Sequence, residues 1–275
     1  MSRAFDHLVL AVNDLDKAAR FYEAIGFTLT PPAQHPFGTG NRLAQLQGCF
    51  LEVLSVTEPE NVPEAEPGSF SFGAYNRDFL ARRQGMSMMV LQTTTAAADR
   101  DDFKAAGLDT YEMFDFSRDA ALPDGSTATV GFTLAFATVP ELPDAVAFTC
   151  QQWRPDLFWK PEYQNHANGA VTISEMFMVA DDGAAPAKLL NGLDLDPIGG
   201  KTSVTTPEAF AARFAGAEIA SSYAGFRVAV SDMEAARTCL EENRVAYEET
   251  AETIWITPAA GFGCVIEFAP HRGDG

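Results

Sequence analysis

The chain has 275 residues, 47% of them hydrophobic, which is enough for a well-buried core or for two domains of about 130 residues each. Its net charge of −19 makes nucleic acid and anionic membranes unfavourable partners. No apolar run approaches the roughly 20 residues of a membrane helix, and the amino-terminal residues lack a signal-peptide cleavage pattern. The four cysteines have no paired spacing, which predicts reduced thiols in a cytoplasmic protein.

The first predicted unit spans about residues 5–57. In "HLVLAV", His7 and every second residue after it fall on one face of a strand, and the leucines fall on the other. Asn13 or Asp14 then caps an amphipathic helix that ends at Gly26. Three more strands follow, and the last of them, "FLEVLSV", contains Glu52.

The order strand, helix, three strands recurs later in the chain. The clearest copy is 224–270, where Glu267 in "VIEFAP" matches Glu52 in position. A second copy covers about 86–153, and its helix ends at Gly107. A third copy is predicted for 171–220, with a helix over "AAPAKLLNGL" and short later strands that are hard to place.

Four such units predict an α+β fold. One unit is a sheet with a helix on one face, and its other face must be covered. Paired units can curve around a shared hollow, so four βαβββ modules give two cup-shaped halves. We expect the halves to cover 1–160 and 161–275, with an aromatic-rich linker at 154–170.

The units resemble the vicinal oxygen chelate superfamily, which includes glyoxalase I, extradiol ring-cleaving dioxygenases, fosfomycin-resistance proteins and bleomycin-binding proteins. The resemblance rests on "DHLVLAVNDLDKAARFYEAIGF" and on the Glu in "FLEVLSV". Three further segments, "HPFGTGNRLAQL", "FSRDAALPDGS" and "HANGA", are similar to the glyoxalase-like branch. The resemblance implies that the sheet face opposite the helix lines the cup, with the first and fourth strands of a unit side by side.

This arrangement makes His7 and Glu52 candidate metal ligands, because strand alternation lets both face one cup. Alignment of the second unit puts Ser87 opposite His7 and Gln151 opposite Glu52, so Gln151 is the third candidate ligand. Ser87 is a poor ligand and a Gln carbonyl a weak one. The expected cofactor is a divalent Zn, Ni, Mn or Fe ion, with a metal-free site as the alternative.

Other polar residues are candidates for acid–base or substrate contacts. His35, Arg118 and His166 are assigned as candidate catalytic residues, since an imidazole can move a proton and a guanidinium can hold a carboxylate or enolate. The alternative for Arg118 is a surface pair with Asp115 or Asp119. The candidate substrate-binding residues are Asn41, Asn168 and Glu267.

The expected function is therefore metal-assisted isomerase or lyase chemistry on a small oxygenated metabolite. One alternative is a metal-free protein that sequesters a small molecule. An extradiol-type dioxygenase is the other, although the sequence does not show its set of two His and one Glu. The ligand is expected to be a small molecule, and a homodimer is left open.

Overall fold

The computed structural model describes residues 2–121, 127–196, 201–215, 217 and 222–272. Strands dominate these ranges. The strands are β1 (Phe5–Ala11), β2 (Ala33–Gln34), β3 (Thr39–Gln45), β4 (Phe50–Val56), β5 (Gly85–Thr93), β6 (Asp109–Thr110), β7 (Phe114–Ala121), β8 (Thr127–Thr138), β9 (Val146–Gln152), β10 (Ala170–Val179), β11 (Lys201–Thr205), β12 (Tyr223–Val230), β13 (Glu248–Glu249), β14 (Ile254–Ile256) and β15 (Val265–Pro270). The α-helices are α1 (Leu15–Ala24), α2 (Phe72–Leu80), α3 (Ala96–Ala105), α4 (Pro155–Phe158), α5 (Ala184–Leu193), α6 (Pro207–Arg213) and α7 (Met233–Glu242). None of the described helices is long and apolar enough to span a lipid bilayer.

The strands form two sheets. The first runs in the order β2-β3-β4-β1-β5-β9-β8-β6, with β7 paired to β8, and the second runs β11-β10-β12-β15-β14-β13. In each sheet two units meet through their first strands, since β1 pairs antiparallel with β5 and β10 pairs antiparallel with β12. The α+β fold of paired, curled units is therefore confirmed.

Within a unit the first and fourth strands lie side by side, as the resemblance implied. Strand β1 pairs parallel with β4, in a register that sets Val9 opposite Glu52 and His7 opposite Phe50. In the second half, β12 pairs parallel with β15 in the same way. This pairing decides which side chains share a cup.

Local sequence signals explain the helices between these strands. Asp14 caps α1, because its carboxylate accepts a hydrogen bond from the Lys17 amide at 2.8 Å. Gly26 and Gly107 follow α1 and α3 with φ of 93° and 78°, a left-handed conformation that favours glycine. Both glycine predictions are thus confirmed.

One hydrophobic core joins the helix-bearing faces of both sheets. It includes Leu8 and Tyr22 from the first half together with Phe226 and Leu240 from the second. The Tyr223 hydroxyl also donates a hydrogen bond to the Val146 carbonyl across the halves. Since these faces are shared, the opposite faces of the sheets are left to form the cups. The expected division of the chain at residue 160 stays a prediction.

The third unit departs from the others in its second part. After β10, α5 and the single strand β11, the described chain continues as helix α6. Phe210 and Phe214 from α6 and its end pack against Phe177 and Trp255 on the cup face of the second sheet. The second cup is therefore filled by its own chain.

The close approach at Gly26 gives a test of how the halves meet. A Cβ atom there would lie 2.7 Å from both the Asn168 Cβ and the Cys239 Sγ, so we expect Gly26→Ala to destabilise the protein by more than Gly48→Ala. Gly48 has φ of 76° and open space around it, so Gly48→Ala measures the backbone strain alone, about 1–2 kcal/mol, without a steric clash. Urea unfolding measures both free energies, and equal losses would contradict the packing.

Candidate active site

His7 and Glu52 meet in the first cup. Both side chains are buried, and the His7 Nε2 lies 3.5 Å from the Glu52 Oε2. They belong to the adjacent strands β1 and β4 and face the cavity, as strand alternation predicted. The cavity between them and the surrounding side chains has a volume of about 50 Å³.

The orientation of His7 is fixed on two sides. Its Nδ1 lies 2.6 Å from the Asp6 Oδ1, and its ring stacks on Phe50 with centroids 4.2 Å apart. The second oxygen of Asp6 accepts a hydrogen bond from the Gln152 amide at 3.1 Å. With Nδ1 turned towards Asp6, Nε2 is the nitrogen that faces Glu52.

The buried Glu52 carboxylate is stabilised by a side-chain amide. The Asn41 Nδ2 donates a hydrogen bond to the Glu52 Oε1 at 2.5 Å, and the same nitrogen lies 3.3 Å from the His35 Nε2. His35 Nδ1 lies 2.8 Å from the Thr39 hydroxyl. The chain His35–Asn41–Glu52–His7 is thus one connected polar cluster inside an apolar cup.

Burial sets the protonation of His35. Loss of solvation lowers the pKa of its imidazole from 6.5 to about 4, and the neighbouring Glu52 carboxylate opposes this by favouring the charged form. Arg118 and His7 lower the pKa further. His35 is consequently neutral near pH 7, so it accepts or donates a hydrogen bond there without carrying charge.

Aromatic rings make up most of the wall around this cluster. Seven phenylalanines from the strands, the turn between β2 and β3, α2 and the linker line the same cavity. They are Phe37, Phe50, Phe72, Phe116, Phe132, Phe148 and Phe158. Such a wall excludes water and strengthens the electrostatic interactions of the few polar groups within it.

Arg118 brings a positive charge to this wall from strand β7. Its guanidinium is half-buried, and loss of solvation lowers its pKa while the Glu52 carboxylate partly restores it. Asp115 and Asp119 instead accept hydrogen bonds from Thr133 and Thr129. In the described part of the chain no carboxylate lies within ion-pair distance of Arg118, so the alternative of a surface pair does not hold.

The donor set fits a metal ion only in part. His7 Nε2 and Glu52 Oε2 have suitable chemistry and spacing, and Asp6 orients the imidazole as an outer partner of a metal ligand does. His35 is the nearest third group, at 3.9 Å from the Glu52 Oε1, but its Nε2 already contacts the Asn41 amide. Across the described residues no group of three His, Cys, Asp or Glu side chains is arranged to hold a metal.

Gln151 is not brought to His7 and Glu52. Its side chain carbonyl accepts a hydrogen bond from the Ala96 amide at the start of α3, on the helix side of the sheet. The cup-facing residues of β9 are instead Phe148 and Cys150, so the alignment of the second unit is displaced by one residue. Ser87 is also held away, as its hydroxyl donates a hydrogen bond to the side-chain Oδ1 of Asn76.

His166 and Asn168 are structural connectors in this fold. The His166 Nδ1 accepts from the Thr28 amide, and its Nε2 lies 2.7 Å from the Gln45 carbonyl. Asn168 is fully buried and donates to the Ile25 carbonyl beyond α1. Both side chains hold the linker against the first half and lie outside the cavity.

Glu267 lies in the second cup. Its carboxylate accepts hydrogen bonds from Arg213 at 2.8 Å and from Arg227 at 2.7 Å, and Arg227 also pairs with Glu175. These ion pairs sit beside the phenylalanines that fill the cup. Glu267 is thus fully committed to contacts within the chain.

Sequence reasoning missed two features of the site. Asp6 was overlooked, although an acidic residue directly before a strand histidine could have signalled an orienting partner. The aromatic wall was also missed, because its rings come from separate strands and from the linker, whose Phe158 lies 5.1 Å from Phe50. No local pattern links those rings.

Comparison with protein families identifies the chain. A sequence model of the glyoxalase-like domain matches residues 5–193. The chain belongs to the glyoxalase-like domain family. The family is part of the vicinal oxygen chelate superfamily, as the resemblance implied. No curated protein matches the sequence.

The solved structures that are similar to this glyoxalase-like protein have low sequence identity to it. A protein from Staphylococcus aureus is 15% identical, with a TM-score of 0.69 over 97% of this chain and 99% of that one. A fusion of a xylose isomerase-like TIM barrel and a 4-hydroxyphenylpyruvate dioxygenase is 11% identical, with a TM-score of 0.56 over 100% of this chain and 51% of that one. Methylmalonyl-CoA epimerase from Streptomyces coelicolor is 17% identical, with a TM-score of 0.38 over 55% and 97% of the two chains.

The lowered pKa of His35 predicts a pH-dependent stability for this glyoxalase-like protein. The unfolded chain protonates His35 near pH 6.5 and the folded protein only near 4, so its contribution is complete above pH 6.5 and is lost as pH falls to 4. The difference corresponds to a loss of about 3 kcal/mol. We expect His35→Gln to flatten the fall in unfolding free energy across this window, and an unchanged slope would contradict a neutral His35.

Proposed function

We propose that the first cup is the active site of an isomerase or lyase that acts on a small oxygenated molecule by proton transfer. The supporting observation is the meeting of His7, Glu52, His35 and Arg118 in one cavity walled by phenylalanines. A proton donor–acceptor pair next to a positive charge, in a space that excludes water, suits the formation of an oxyanion such as an enolate.

Each group then has a role set by its contacts. Glu52 takes a proton from a carbon beside a carbonyl, since its Oε2 is the oxygen that Asn41 leaves free. The electron pair moves to the carbonyl oxygen, where Arg118 and neutral His35 stabilise the resulting oxyanion. His7 Nε2, 3.5 Å from Oε2, relays the proton. Return of the proton to a neighbouring carbon gives an isomerase, and loss of a leaving group gives a lyase.

Exchange of carbon-bound hydrogen tests this proposal directly. We expect the protein in D₂O to exchange hydrogens of at least one compound in a panel of small keto and hydroxy compounds, as seen by proton NMR. Glu52→Gln should slow that exchange by about 100-fold or more, because it removes the base. Glu267→Gln makes the same change in the second cup and should leave exchange unaltered in protein that is folded by circular dichroism. Exchange that survives Glu52→Gln would contradict the proposal.

A metal-free binding protein is the second candidate. The seven phenylalanines favour it, because they offer far more apolar contact than proton transfer requires. This candidate predicts that panel compounds bind in calorimetry without any exchange of hydrogen. Such a result would replace the enzymatic proposal and keep the first cup as the ligand site.

A divalent metal remains a prediction of the resemblance, with His7 and Glu52 as its holders and stabilisation of an oxyanion as the chemistry it would supply. If the prediction is right, purified protein carries or takes up Zn, Ni, Mn or Fe. His7→Ala and Glu52→Ala should each lower the bound metal by tenfold or more in elemental analysis. Equal metal contents in the wild type and both variants would show that His7 and Glu52 do not bind the metal.

A further inference from the structure

A second cavity adjoins the active-site cavity and shares part of its wall. It has a volume of about 310 Å³ and lies between the loop after α1, strand β7 and the linker. Asn41, Leu43, Arg118 and Phe158 line both cavities. We call the two spaces the inner and outer cavities.

The volumes of the inner and outer cavities indicate that they bind different parts of a ligand. The inner cavity, at about 50 Å³, accepts only a few non-hydrogen atoms. The outer cavity reaches the lower end of the roughly 300–1,000 Å³ typical of ligand pockets. Its wall contains Pro31, Pro32, Leu157 and Tyr163, which suit an apolar body. A ligand therefore places its reacting head inside and its body outside.

The charged side chains at the boundary between the inner and outer cavities indicate which ligand group binds there. Arg118 is on that boundary with no carboxylate within ion-pair distance in the described residues, although the protein has a net charge of −19. Lys160 adds a second positive charge on the outer side, and among the described lining residues Asp119 is the one that carries a negative charge there. Glu52, the carboxylate of the inner side, influences Arg118 electrostatically from beyond contact. A guanidinium has several N–H donors, so the side of Arg118 that faces the outer cavity can also bind an anion.

Asn41 supplies a further feature of recognition. Its amide nitrogen is used by Glu52, but its Oδ1 is buried and has no hydrogen-bond partner among the described residues. A buried acceptor without a partner is costly, and a donor from a ligand would satisfy it. Asn41 lines both cavities, so that donor would sit close to the group held by Arg118.

We propose that the ligand is a short-chain carboxylic acid with a hydroxyl group near its carboxylate, held by Arg118 and Asn41 at the junction of the two cavities. Its hydroxyl-bearing carbon lies in the inner cavity, where the hydroxyl donates to the Asn41 Oδ1. Its carboxylate meets the outer side of Arg118 at the boundary, and its aliphatic body lies in the outer cavity. This inference deepens the proposed function and rests on it for the location of the ligand. It also explains why an acidic protein keeps a half-buried arginine that has no carboxylate partner among the described residues.

Calorimetry with three matched six-carbon probes tests the class of ligand. The probes are 2-hydroxyhexanoate, hexanoate and hexane-1,2-diol. We expect hexanoate to bind about tenfold more weakly than 2-hydroxyhexanoate, because it leaves the Asn41 acceptor without a partner. The diol should bind at least 100-fold more weakly, because it lacks the carboxylate. Diol binding equal to that of 2-hydroxyhexanoate in the wild type would overturn the proposal.

A variant isolates the arginine. Arg118→Met keeps a flexible unbranched side chain, although a shorter one, and removes the charge, so we expect its affinities for 2-hydroxyhexanoate and the diol to converge. Arg20→Met makes the same change on the exposed surface of α1 and should keep the wild-type order. Wild-type preference for the acid in Arg118→Met would overturn the proposal, and the three probes test it in the wild type even if that variant fails to fold.

The outcomes separate this inference from the proposed function. Hydrogen exchange that depends on Glu52 but occurs on neutral compounds, with no preference for acids, would keep the enzyme and discard the acid. Binding of 2-hydroxyhexanoate through Arg118 without any exchange would keep the acid and discard proton transfer.

Discussion

The burial of one carboxylate organises the first cup. Glu52 lies among phenylalanine rings, where an unpaired charge would be strongly destabilising. The parallel pairing of β1 with β4 brings His7 to one of its oxygens, and Asn41 from β3 donates to the other. Asp6, Thr39 and His35 then complete the contacts of these partners. Most of the polar cluster therefore follows from the need to satisfy the buried Glu52 carboxylate.

The cup faces of the two sheets are covered in different ways. Each half has a sheet face opposite the shared core, and in the second half α6 covers that face with Phe210 and Phe214. The buried carboxylates there, Glu175 and Glu267, are neutralised by arginines of the same chain. In the first half the cup keeps a cavity, and its arginine keeps no carboxylate partner within the described ranges. The repeated unit therefore supplies one structural cup and one cup suited to a ligand.

The linker is part of the site because it closes the cup. The Gln45 side chain holds the linker with two hydrogen bonds, since it donates to the Phe158 carbonyl and accepts from the Lys160 backbone amide. This places Phe158 over the inner cavity and Lys160 beside the outer one. A segment that connects the halves in the sequence thus sets the size of the space in which a ligand fits.

The sequence by itself determined the repeated unit, a helix cap at Asn13 or Asp14, the helix end at Gly26, and the face on which His7 and Glu52 lie, because all of these depend on local period and backbone conformation. Only the tertiary structure decided that Gln151 faces the helix side, that His166 and Asn168 tie down the linker, and that Glu267 is consumed by ion pairs. A one-residue difference in register reverses the face of a strand residue, and a repeat read from sequence does not fix that register. The aromatic wall and the position of Arg118 in it depend on contacts between strands far apart in the chain, which local patterns do not encode.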